Sequence, residues 1–173
     1  MDRLTSGATD RLGREISSYA GTEDRPLGGY LALLATYGSL VGALSGVVRW
    51  RGRELPEGFS GRDLALMTVA THKVARIVTK DPVTSPFRAY FTQFEGATGE
   101  GEIAESVRGR GLRHAIGELL TCPFCVAQWI ATLFAFGLVL SPRVTRFAAS
   151  LFAMLTGSDL LQIAYARAQA VLD

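Results

Sequence analysis

Cysteine, histidine and lysine are all scarce in this chain, and charge is missing altogether from two long stretches. The two cysteines, Cys122 and Cys125, lie too close together to frame a small secreted domain, so a disulfide scaffold is excluded. Lysine occurs twice, and the other 16 of the 18 basic residues are arginine, the side chain suited to bidentate pairing with carboxylate or phosphate. The formal net charge of +2 is too small for wholesale nucleic-acid binding, and no nucleic-acid partner is expected. No H-E-x-x-H, P-loop or G-x-S-x-G motif is present, nor any nucleophile with a neighbouring candidate base. A cleaved signal peptide is not expected either. The first apolar stretch starts only at Leu27 and is followed by no small-x-small site.

Hydrophobic residues make up 48% of the chain, with a mean hydropathy of +0.21, but their distribution says more than the average. Residues 27–48 carry no charge, and as a helix they reach about 33 Å, enough for a hydrocarbon core of roughly 30 Å. Residues 119–142 are again free of charge and form a second clear span. Residues 147–166 are a further candidate broken by Asp159. Seven Leu, Ile and Phe contribute about −2 to −4 kcal/mol and a central Asp costs about 2.5 to 3.5, so that helix needs Asp159 to face protein. Residues 64–79 reach only about 24 Å and contain His72, Lys73 and Arg76, which leaves a short tilted span or an interfacial helix. Ser60 and Asp63 stand as its N-cap and N3 residues.

The predicted fold is therefore all-α: a polytopic membrane protein with three to four membrane helices and one cytoplasmic polar loop. Residues 1–26 read as a mobile tail and residues 27–173 as a single membrane domain. Residues 80–118, with Pro82, Pro86 and the glycine-rich run 96–101, read as loop. If residues 64–79 span, ten basic residues share a side with the loop against six opposite; if they do not, the count is twelve against six. Either places the loop in the cytoplasm of a cell whose inner membrane holds the chain. Gly38, Gly42 and Gly46 recur every four residues and form a flat groove for close helix packing. A neighbour within the chain is the expected partner, with a second copy or another membrane protein as the alternative.

The chemistry concentrates at Thr121-Cys122-Pro123-Phe124-Cys125, where the charged loop enters a membrane helix. Pro123 fits a first helical turn, and the two sulfurs fall on one face near the positive end of the helix dipole, where thiol acidity rises. Three readings stand: thiols that pack at a helix entrance and stay reduced, a thiol–disulfide exchange pair, and a zinc site completed by His72 and His114. Packing is preferred and no cofactor is expected, zinc being the alternative. Arg76, Lys80, Asp81, Arg88, Arg113 and Glu118, with Arg108 and Arg110, mix signs near the membrane plane; Asp159, off centre in its span and expected to face protein, joins them. An internal ion-pair lattice is the preferred reading, ahead of a phosphate or anionic-lipid site.

The ordered blocks Arg76-Ile-Val-Thr-Lys-Asp81, Pro86-Phe-Arg88, Gly111-Leu-Arg113 and Gly117-Glu118-Leu-Leu-Thr-Cys122-Pro-Phe-Cys125, with Trp129, resemble a bacterial membrane family known as domain of unknown function 1360. The likeness covers about residues 62–166. It implies a bacterial membrane protein of similar size, with members in spore-forming organisms, and implies no mechanism. The expected function is accordingly a non-enzymatic or accessory component of the inner membrane. A membrane thiol-disulfide oxidoreductase using Cys122 and Cys125 is the rival.

Overall fold

The computed structural model describes Tyr19 and residues 25–172. The tail expected over residues 1–26 lies almost wholly outside them. In chain order come helix α1 (Leu27–Trp50), α2 (Gly61–Lys80), a 3₁₀ turn (Pro82–Thr84), the short α3 (Ser85–Arg88), strands β1 (Thr92–Gly99) and β2 (Glu102–Val107), then α4 (Leu112–Thr121), α5 (Pro123–Leu140) and α6 (Pro142–Leu172).

Three of these helices are long and apolar enough to cross a membrane: Leu27–Trp50, Pro123–Leu140 and Pro142–Ala170. Side-chain contacts set their directions. Tyr30 on α1 donates its hydroxyl to Glu118, Tyr37 packs edge-on against Trp129 at 5.2 Å between centroids, and Arg53 beyond the helix end reaches the Val139 carbonyl. Thus α1 runs parallel to α5. Met67 near the start of α2 meets Leu138 near the end of α5, whereas Ala75 meets Val126 and Ile130 near its start, so α2 runs antiparallel to α5. Asp63 pairs with Arg146, and Lys73 with Asp159, so α2 lies lengthwise beside α6 in the same direction.

The helix that sequence left between span and interface is therefore the centre of an up-down-up-down bundle. Ser60 caps it, its hydroxyl accepting from the Asp63 N–H at 3.1 Å and donating to the Asp63 carboxylate at 3.0 Å. The α5–α6 turn is tight because Gly137 lets Thr145 approach: a Cβ at 137 meets the Thr145 hydroxyl oxygen at 2.7 Å.

Three expectations need correction. The chain is not all-α, because β1 and β2 form an antiparallel hairpin with Thr92 opposite Val107 and Gly99 opposite Glu102. The glycine-rich run supplies the tip, where Gly101 takes φ 75°, and register irregularities beside Gly96 and Gly99 obscure the two-residue alternation that marks a strand. The continuous span expected over residues 119–142 is broken at Cys122. Pro123 cannot donate to the preceding turn and drives Cys122 into an extended conformation (φ −103°, ψ 104°), so α4 stops and α5 restarts. Finally, the Gly38, Gly42 and Gly46 groove does not pack within the chain. A Cβ at any of the three finds no atom within 4 Å, because Tyr30, Tyr37 and Val48 turn the opposite side of α1 inward.

Candidate functional site

Cys122 sits at the joint between α4 and α5. Its amide donates to the Leu119 carbonyl at 3.4 Å, closing α4, and its sulfur accepts from the Cys125 N–H at 3.2 Å, capping α5. Cys125 is exposed, Cys122 is half-buried, and Phe124 between them is 90% exposed. The two Cα atoms are 5.3 Å apart and the sulfurs stand in disulfide contact, where a pair of separate packed thiols was expected. The first turn of a charge-free helix thus carries an accessible sulfur pair.

The ligands of the zinc reading are not assembled. Among the described residues no three of His, Cys, Asp or Glu come together as a metal-binding group. His72 lies on α2 with no polar partner among the described residues, and His114 faces Gly109 O and Glu118 on α4.

The charged residues around the joint divide into separate clusters. Arg88 and Glu105 are the most enclosed, with side chains 1% and 5% exposed and Nε to Oε2 at 2.5 Å. Arg88 also donates to the carbonyls of Val78 (2.7 Å) and Asp81 (3.1 Å) and to the Thr84 hydroxyl (2.6 Å), tying the end of α2, the 3₁₀ turn and the hairpin to one guanidinium. Arg76 pairs with Glu102 at the hairpin tip. Arg113 stacks over Tyr90, 4.4 Å from its centroid, and donates to the Tyr90 carbonyl. Glu118 accepts from Tyr30 and lies 3.6 Å from both Arg25 and His114. The Asp81 carboxylate caps the 3₁₀ turn through the Val83 N–H at 2.9 Å, and Lys80 has no polar side-chain partner among the described residues.

Sequence reasoning missed Lys73, Glu102, Glu105 and the Asp63–Arg146 pair. Lys73 carried the one usable signal, an ionisable group in the middle of a helix flanked by spans, which normally demands a partner. Its partner is Asp159, at 2.5 Å.

A family profile described as "Protein of unknown function (DUF1360)" matches residues 66–165. The chain belongs to this family. The DUF1360 region runs from the first third of α2 to beyond the middle of α6, so it contains the cysteine joint, the hairpin and the Arg88–Glu105 and Lys73–Asp159 pairs, and leaves α1 outside. The resemblance read from the ordered blocks agrees with that match. Among curated proteins, the sporulation protein YjcA of Bacillus subtilis (strain 168) is 32% identical to this DUF1360 member over 75 residues, 42% of this chain and 64% of that protein. The aligned stretch thus spans less than two thirds of the relative. No solved structure matches.

Proposed function

We propose that this DUF1360 member is an accessory integral protein of the bacterial inner membrane, with four antiparallel spans and a cytoplasmic hairpin platform, whose chemistry is a reversible dithiol–disulfide pair at Cys122 and Cys125. One observation carries the chemical part: the sulfurs meet at an exposed helix start, with Cys122 as the cap that accepts the Cys125 N–H. Apolar helices, the lengthwise seating of α2 and the arginine count support the membrane part.

The exchange needs a protein disulfide as co-reactant. Cys122, as thiolate, attacks one sulfur of that disulfide and expels the other, which takes a proton from water. Cys125, deprotonated in turn, attacks the Cys122 sulfur and releases the partner's remaining thiolate. Two electrons and two protons pass to the partner, and the reverse sequence restores the dithiol in a reducing compartment.

Thiol mass-tagging in cells, before and after a disulfide-forming oxidant, tests this. The pair is expected to cycle between states, and Cys125→Ser is expected to accumulate a mixed disulfide through Cys122. A pair locked in one state under every condition, with a Cys122→Ser/Cys125→Ser protein as stable as wild type, supports instead a purely packing role. That second reading draws on the ion pairs, which commit most of the surrounding charge to holding the platform together. The sporulation role in the relative's name is extended to this chain only as the setting in which to seek a phenotype.

A further inference from the structure

A cleft of about 960 Å³ opens between the hairpin tip and the C-terminal half of α6, with the polar face of α2 as its floor. It is separate from the cysteine joint, and its volume is at the upper end of ordinary ligand sites. Ile77, Leu160, Ile163, Ala166 and Ala170 line one side. The rest is ionic.

Most of that charge is already matched. Lys73 pairs with Asp159 and Arg76 with Glu102, so both pairs are neutral walls that fix α6 and the hairpin tip to α2. Three groups have no such partner among the described residues: Arg167 on α6, Glu100 at the tip and Asp81 at the end of α2, whose carboxylate accepts only from the Val83 N–H. His72 on the floor is likewise without one. The cleft therefore offers one cation and two carboxylates, a few residues from an apolar wall. A purely anionic ligand leaves Glu100 opposed, and a purely cationic one leaves Arg167 opposed.

The level of the cleft follows from helix length. As a helix of 31 residues, α6 is about 46 Å long, so it overshoots a hydrocarbon core of roughly 30 Å by several turns. Its start is fixed at the opposite end by the tight turn after Leu140, so Asp159 lies about 26 Å along, just inside the core, Leu160 and Ile163 fall at its boundary, and Arg167, about 38 Å along, reaches headgroup level. We propose that this cleft binds a zwitterionic aminophospholipid, with its phosphate on Arg167, its ammonium on Glu100 and an acyl chain along Leu160 and Ile163. The inference rests on the reading of α6 as a span.

The test uses the full-length chain, purified in detergent and stripped of lipid, with thermal unfolding followed as lipid is added. Short-chain phosphatidylethanolamine is expected to raise Tm saturably, and phosphatidylglycerol and water-soluble phosphoethanolamine are expected to fall well short. Arg167→Gln and Glu100→Gln remove no polar side-chain contact among the described residues, so both are expected to keep the lipid-free Tm of wild type. Each loses one charge-assisted contact to the lipid, for a drop in apparent affinity of roughly tenfold. Equal stabilisation by phosphatidylglycerol or by soluble phosphoethanolamine, or variants that bind like wild type, overturns the proposal. Membrane fractionation of the same three proteins separates this from the membrane reading. A chain that stays in the membrane but ignores the lipid headgroup defeats the cleft alone.

Discussion

A guanidinium taken out of water must find acceptors for its N–H groups, and Arg88 finds them on β2, on the 3₁₀ turn and at the end of α2. Glu105 supplies the countercharge, and both side chains are enclosed. Such a pair contributes little relative to an apolar substitute of the same shape, yet removing one member strands the other without solvent. Arg88→Met is therefore expected to lower stability by about 3–5 kcal/mol, and Arg88→Met/Glu105→Met to recover a large part of that loss. Thermal unfolding of the detergent-solubilised protein measures both. A single variant no less stable than the double one shows that the pair is not what fastens the hairpin. Arg88 was legible as a polar-centre candidate from its place among the mixed charges of residues 80–118. Its partner was not, because Glu105 lies 17 residues away across a hairpin whose register no local pattern reveals.

Among the helices, α1 shows how a residue pattern can be right and its use wrong. Gly38, Gly42 and Gly46 do form a smooth face, but that face points away from the bundle. The glycine that seats α1 is Gly29, where an added Cβ meets the Ala115 Cβ at 2.7 Å and the Gly111 carbonyl oxygen at 3.0 Å. Gly29→Val is expected to push α1 off α4 at an overpacking cost of about 1–3 kcal/mol, while Gly42→Leu leaves the unfolding of the isolated chain unchanged. The comparison is made by Tm in detergent. An effect of Gly42→Leu that appears only in membranes then reports contact with another helix, and equal losses for the two variants contradict the packing described here. The α2 start was readable because a capping box is local: Ser60 and Asp63 are neighbours in sequence as well as in space. The break at Cys122 was half readable. Pro123 announced a first helical turn, but hydropathy ran unbroken through residues 119–142 and masked the end of α4.

At the scale of the whole molecule, the path of α2 decides the topology. A helix with His72, Lys73 and Arg76 in its second half is costly in hydrocarbon, about 2.5–3.5 kcal/mol for each central charge on the insertion scale. Pairing changes that balance. Lys73 is neutralised by Asp159, Arg76 by Glu102 and Asp63 by Arg146, and α5 and α6 cover its apolar side. On the proposed membrane reading, α2 inserts as part of the bundle, the hairpin and the C-terminus share the cytoplasmic side, and residues 51–60 lie opposite. In a Cys122→Ser/Cys125→Ser background, a cysteine placed at Thr98 in β1 is expected to resist a membrane-impermeant thiol reagent in intact cells, and one placed at Glu57 to react readily. Both positions are exposed in the folded chain, so protection reports the membrane rather than burial. If α2 instead lies in the interface, residues 51–60 and the hairpin fall on one side and the two positions respond alike. Labelling at Thr98 with protection at Glu57 reverses the orientation and puts the cysteine joint on the outer face, where a disulfide between Cys122 and Cys125 becomes the resting state.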